Sequence, residues 1–259
     1  MKYDLQVRDS YGHLLEVIQE LPEKGNKFPT ILLVSGFGMD LHEYGFFDKL
    51  SQYLVKHGFG TIRFSFEGCG RSEGDFLSMT IDAQAQQVKD ILKYVKKDRF
   101  SQKRKIGICA QSFGGATVIA GMPVTGVKSY LFTSTPAYPY ESLSRWFKRQ
   151  RGFRPDGISE IERSDKRKTR IGPQFWKNLV THDLPQEISR LTQPVQFIYG
   201  SRDDRVKIWE GEEYYNRVRG SKKLQVIELA DHAFTGKFRL KVFELITDWF
   251  SNTLNENQR

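Results

Sequence analysis

Short, largely apolar stretches that read as strands recur along this chain, and helical spacing follows several of them. They are Thr30 to Ser35 (TILLVS), Thr61 to Phe66, Ile106 to Ala110, Val127 to Thr133, Val195 to Tyr199 and Leu224 to Leu229. Runs of this length and content suit strands buried on both faces of a parallel sheet. Between them, Tyr44 to His57 repeats Phe47, Leu50, Tyr53 and Leu54 at helical intervals, and Ile81 to Lys96, Ile208 to Arg217 and Phe238 to Phe250 also read as helices. Residues 3 to 8 and 14 to 20 are alternating or β-rich around Ser10-Tyr11-Gly12, which predicts an N-terminal antiparallel hairpin. Strand and helix alternation implies an α/β domain, a mostly parallel sheet with helices on both faces. The pattern breaks from Ser134 to Arg190, a stretch with five prolines, many charges and bulky aromatics but no obvious buried strand. Because alternation resumes directly afterwards, this stretch is expected to be a helical lid insertion, about 134–190, within a single domain spanning 1–259.

The organising stretch is Lys105 to Gly121, KIGICAQSFGGATVIAG. A buried strand stops at Gln111-Ser112-Phe113-Gly114-Gly115 and a small-residue helix begins at once, which puts a serine at a sharp bend. Ala110 and Gly114 flank it at two-residue offsets, as needed where strand and helix backbones crowd together. Ser112 then stands at the top of the sheet near a helix N-terminus, where developing negative charge is favoured. Ser112 is a candidate nucleophile; alternatively it is only a helix N-cap.

A serine nucleophile needs a base and an orienting acid, supplied in an open parallel sheet from loops at the carboxyl ends of strands. Asp203 follows the strand ending at Tyr199, with Gly200 three residues before and Val206 three after, and His232 follows the strand ending at Leu229. Asp204 competes with Asp203, whereas His13, His42, His57 and His182 follow no late strand. The order Ser, Asp, His is that of an α/β-hydrolase. The oxyanion of a tetrahedral intermediate needs two N–H donors. The candidates are the backbone of Phe113, next to the serine, and of Phe37 in the loop Ser35-Gly36-Phe37-Gly38.

The chain has 259 residues and carries 40 Lys and Arg against 31 Asp and Glu, a net charge of +9. No zinc finger, RNP-type aromatic strand or basic helix accompanies that charge, so no nucleic-acid partner is expected. Twelve basic and seven acidic residues fall within Ser134 to Arg190, a net of 12 − 7 = +5, with Lys166-Arg167-Lys168 and Arg170 the tightest cluster. The insertion's aromatics, among them Tyr140, Trp146, Phe147, Phe153, Phe175 and Trp176, either glue it to the body or wall a pocket. The basic excess either solvates its outer face or attracts an anionic substrate. No apolar run is long enough for a membrane span, and the N-terminus lacks the apolar core of a signal peptide, which predicts a cytoplasmic protein. Cys69 and Cys109 offer no disulfide framework or metal-ligand spacing and are expected to be buried.

The stretches SGFGMD, RFSFEGCGRSEGDFLSMTIDAQ, AQSFGG, YGSRDDRV and ADHAF together resemble the α/β-hydrolase superfamily, and within it bacterial cinnamoyl and feruloyl esterase-type serine hydrolases. The resemblance implies an eight-stranded, mostly parallel sheet, a lid after the sixth strand and a Ser112-Asp203-His232 triad. The chain departs from the family pattern at Ser35, where His is usual, at Ala110, where Gly is usual, and at Ser65, where Asp is frequent. The expected activity is cleavage of carboxylic esters through an acyl-enzyme, with no cofactor or metal, on a small-molecule ester that is aromatic or anionic; a homodimer is compatible. Thioesterase, amidase or peptidase and acyltransferase activities use the same machinery, and a non-catalytic binding protein of this fold is the alternative of a different class.

Overall fold

A computed structural model describes residues 1–163 and 165–255. Its main sheet has eight strands: β1 (Lys2–Arg8), β2 (Leu14–Glu20), β3 (Phe28–Val34), β4 (Gly60–Phe64), β5 (Ser101–Gln111), β6 (Ser129–Thr133), β9 (Val195–Gly200) and β10 (Lys222–Ile227). Their order is β1-β2-β4-β3-β5-β6-β9-β10. β2 pairs antiparallel with β1 and β4, and every later neighbour is parallel.

The apolar runs alternate in direction as a doubly covered sheet requires. On β3, Leu32 and Val34 join the core on one face, while Ile31 and Leu33 join the core on the other. The first face is covered by α2 (Ile81–Lys97), α3 (Phe113–Ala120) and α7 (Ile208–Arg217), the second by α1 (Phe46–Lys56) and α8 (Phe238–Asn255). Helix α2 shows why its residues form a helix: the Thr80 hydroxyl caps the Ala83 N–H at 3.1 Å, Asp82 sits in the first turn, and Lys96 and Lys97 sit in the last. Its buried stripe includes Ile81, Val88, Ile91, Leu92 and Val95. Helix α8 lies so close to β5 that a Cβ on Gly107 would fall 2.5 Å from the Phe250 ring.

The insertion after β6 differs from the helical expectation. It contains α4 (Pro139–Arg149), α5 (Pro173–Leu179) and α6 (Leu184–Ile188), but also an antiparallel hairpin of β7 (Ser159–Glu162) and β8 (Lys168–Ile171). Ser159, Ile161, Thr169 and Ile171 point inward while Glu160, Glu162, Lys168 and Arg170 point outward, the period-2 pattern of a half-buried pair. With four residues per strand, that alternation is hidden among the surrounding charges.

The insertion is fastened to the body. Phe147, Phe175 and Trp176 are buried, which favours docking by roughly 1.5–3 kcal/mol for each large side chain. Within the insertion, the Trp176 indole N–H donates to Ser159 Oγ at 2.9 Å and ties α5 to the hairpin. The insertion's entry segment is held by β9 and α7: the Tyr199 hydroxyl donates to the Thr135 carbonyl at 2.6 Å, the Tyr214 hydroxyl to the Pro136 carbonyl at 2.7 Å, and the Glu210 carboxylate accepts the Ala137 and Tyr138 N–H groups at 3.0 and 3.3 Å. Most of the insertion's aromatics therefore act as glue, and Trp146 is the exception described below.

Candidate active site

The carboxyl ends of β3, β5, β9 and β10 converge on one cavity of about 510 Å³, lined by Gly36, Phe37, Ser112, Phe113 and His232 together with residues of α4 and of the loops after β9 and β10. Ser112 lies between β5 and α3 with φ 52° and ψ −124°, a strained conformation that only the surrounding packing can hold. That packing leaves no space: a Cβ on Gly114 would fall 2.3 Å from the Ser35 carbonyl oxygen, and one on Gly115 would fall 2.0 Å from Thr135 Oγ1. Ala110 is accommodated at the position where the resemblance expects glycine and is fully buried.

His232 Nε2 lies 3.0 Å from Ser112 Oγ, and its Nδ1 lies 2.7 Å from Asp203 Oδ2. The other carboxylate oxygen of Asp203 accepts the Arg205 and Val206 N–H groups at 2.8 and 2.9 Å. Burial would raise the Asp203 pKa, but the bond and charge of His232 and these two N–H groups outweigh it and hold the carboxyl below its usual range. The His232 loop is anchored through its own carbonyl, which accepts from Gln111 Nε2 at 3.1 Å and from the Ser134 hydroxyl at 3.2 Å. Asp204 is exposed and makes no hydrogen bond or ion pair among the described residues. Ser112, Asp203 and His232 are thus brought together, and the other four histidines are not part of this cavity.

Phe37 and Phe113 both line the cavity, with ring centroids 5.6 Å apart edge to face. Among the described residues, neither backbone N–H donates to a protein atom. Both can therefore serve an oxygen bound beside Ser112.

The basic side chains around the cavity are not those that the sequence singles out. Lys166 pairs with Glu162 at 2.9 Å, Arg167 with Asp165 at 2.8 Å, and Lys168 and Arg170 share Glu160 at 2.9 and 3.5 Å, so three carboxylates on the hairpin offset most of the cluster's charge. Arg167, Lys168 and Arg170 line a separate cavity of about 300 Å³ instead. The arginines beside Ser112 are Arg145, Arg149, Arg163 and Arg205, none of them ion-paired among the described residues. Arg163 and Arg205 lie 5.6 and 5.3 Å from the Trp146 ring centroid. Sequence reasoning missed these four and Glu43; only Arg205, inside the acid loop, carried a positional hint.

Comparison with known proteins follows the same lines. Residues 25–151 match the family model described as serine aminopeptidase, S33. No curated protein matches the sequence significantly. Est1E from Butyrivibrio proteoclasticus, solved with ferulic acid bound, is similar in structure with a TM-score of 0.81 at 20% identity, covering 97% of this chain and 100% of that one. The α/β hydrolase GrgF from a Penicillium species gives 0.79 at 14%, covering 99% and 100%. The chain has the α/β-hydrolase fold. The esterase domain of a Rhodothermus marinus protein gives 0.75 at 18%, covering 98% and 100%. In this fold the insertion and the loops at the carboxyl edge surround the cavity, while the sheet beneath is the shared scaffold.

Both cysteines are buried free thiols, and burial raises the Cys69 pKa to about 12 and the Cys109 pKa further. Among the described residues no helix is long and apolar enough to cross a membrane.

Proposed function

We propose that this α/β-hydrolase is a serine esterase that works through an acyl-enzyme on Ser112. The observation that carries the proposal is the continuous relay from Asp203 through His232 to Ser112, at 2.7 and 3.0 Å, opening into a cavity beside two unengaged amides. Ser112 Oγ attacks the ester carbonyl as its proton passes to His232 Nε2, and the oxyanion accepts hydrogen bonds from the Phe37 and Phe113 amides. Asp203, held ionised, keeps the histidine proton on Nδ1 and balances the imidazolium. His232 then protonates the leaving alcohol, and in the second half it activates water against the acyl group.

The substrate is an aromatic or anionic ester. Phe37, Leu143, Trp146 and Val206 supply apolar walls, and four unpaired arginines face three carboxylates, of which Glu43 already accepts a backbone N–H and Asp231 already serves Thr235. Est1E, with ferulic acid bound, supports an aromatic acyl group. An aminopeptidase role would require a site for a cationic amine, and the arginine excess works against it. Buried thiols fit a reducing cytoplasm.

A panel of ester, thioester and amide substrates sharing one aryl-acyl group tests the proposal. The ester should give the highest kcat/KM, with a burst of alcohol release ahead of steady turnover. Equal or faster cleavage of the amide would contradict it.

A further inference from the structure

The loop that carries the Phe37 amide is gripped from both sides by ionisable side chains that make no ion pair among the described residues. On one side Glu43 Oε2 accepts the Gly36 N–H at 2.7 Å. On the other, Arg163 Nη2 donates to the Phe37 carbonyl at 2.6 Å. The peptide between these two anchors carries the Phe37 N–H and is the only one of the three consecutive peptides left without either clamp. The Gly36 carbonyl of that middle peptide accepts the Met39 N–H at 3.2 Å in a tight turn, and fixing the peptides on both sides holds this turn and so limits rotation of the peptide that carries the Phe37 N–H.

Each grip is built at a structural cost. Glu43, Tyr44 and Gly45 are three successive residues with φ of 47°, 53° and 75°, a conformation unfavourable for glutamate and tyrosine. Such strain persists where surrounding structure over-determines it, and here it aims the Glu43 carboxylate at Gly36. Arg163 is only 7% exposed, reaches across from the insertion, and uses its other donors on Thr169 Oγ1 at 2.6 Å and Met39 Sδ at 3.3 Å. Its guanidinium also stacks 5.7 Å from the Phe37 ring centroid. Burial opposes its charge, so its retention needs these fixed acceptors. Gly38 completes the fit, since a Cβ there would fall 2.4 Å from Arg163 Nη2.

We infer that Glu43 and Arg163 are positioning residues that hold the oxyanion loop in its working conformation, and that the insertion takes part in catalysis through Arg163. The inference rests on the reading of Ser112 as nucleophile and concerns only Ser112-dependent turnover.

The test compares Glu43→Ala, Glu43→Gln, Arg163→Ala and Arg163→Lys with Ser112→Ala as the baseline, on an uncharged activated aryl ester. Removing an oxyanion donor outright costs about 10²–10³ in kcat. Loosening one should cost less, about 10–100-fold in kcat for the two alanine variants, with KM within about threefold. Glu43→Gln keeps an amide oxygen for the Gly36 N–H and should recover most of the loss, and Arg163→Lys should recover part. Labelling by a fluorophosphonate, whose phosphoryl oxygen occupies the oxyanion position, should slow in parallel. The inference is overturned if folded alanine variants keep wild-type kcat, if they change KM alone, or if Glu43→Gln loses as much as Glu43→Ala. If an alanine variant does not fold, Glu43→Met or Arg163→Met, which keeps the bulk of the side chain without its acceptor or donors, takes its place under the same kcat criterion. Activity remaining in Ser112→Ala would instead refute the nucleophile, a separate outcome.

Discussion

Replacing Asp203 by asparagine changes one proton position without removing the turn that holds the residue. Asp203 is 4% exposed, and its Oδ1 accepts the Arg205 and Val206 N–H groups, bonds that an asparagine oxygen can keep. The new NH2 would face His232 Nδ1, which sits 2.7 Å away and must then accept instead of donate. The ring proton moves to Nε2, so Ser112 Oγ at 3.0 Å meets a donor where it needs an acceptor. The negative charge that balances the imidazolium is lost as well. Together these should lower kcat by about 10³–10⁴, roughly 4–5.5 kcal/mol at about 1.36 kcal/mol per tenfold. Stability should change by no more than about 1–2 kcal/mol, because the backbone bonds survive. Asp204→Asn, altering an exposed and unbonded side chain, should stay within about threefold of wild type. The assay is kcat/KM on an activated aryl ester, with urea midpoints as the control for folding. An Asp203→Asn variant within tenfold of wild type, or a greater loss in Asp204→Asn, would refute the reasoning.

Other consequences follow from burial and charge. Arg145 and Arg149 face the cavity unpaired, so Arg145→Gln with Arg149→Gln should lower kcat/KM severalfold for an anionic aryl ester and leave a neutral analogue unchanged; the wild-type preference should weaken with salt, since screening acts over about 8 Å at physiological ionic strength. Tyr214→Phe leaves the buried Pro136 carbonyl without its donor and should cost about 1–2 kcal/mol in urea denaturation. Burial raises the Glu43 carboxyl from 4.5 to about 7, so between those values the folded state holds more protons than the unfolded one. Its contribution to stability is therefore greatest near pH 4.5 and declines as pH rises to about 7, by up to ~3 kcal/mol for that interval. Glu43→Gln should abolish this part of the pH dependence, read from urea midpoints at pH 5 and pH 8.

Much of the fold was legible because the central strands bury both faces and so read as continuous apolar runs, from TILLVS at β3 to the run at β9. The three residues now joined in one relay were legible because a parallel sheet sends its loops to a single edge, so the order Ser112, Asp203, His232 after three different strands already implies proximity. The β7 and β8 hairpin was not legible as strand, since Ser159–Glu162 and Lys168–Ile171 are too short for their alternation to stand out from the charges around them. Lys166, Arg167 and Lys168 drew attention by adjacency, but their partners lie on the same hairpin and cancel them locally. Arg163 and Glu43 were not singled out for the opposite reason: nothing in the sequence sets either apart from the polar residues around it. What matters about them, a backbone amide on one side and a backbone carbonyl on the other, exists only once the chain has folded.

The central claim is that Ser112 is an activated nucleophile, and covalent trapping addresses it most directly. Wild-type protein treated with a fluorophosphonate and analysed by intact and peptide mass spectrometry should carry one phosphonyl group, located on Ser112. Labelling should be lost in Ser112→Ala and strongly slowed in His232→Ala, with both variants folded. Label on another residue, or ester turnover at the wild-type rate by Ser112→Ala, would contradict the account.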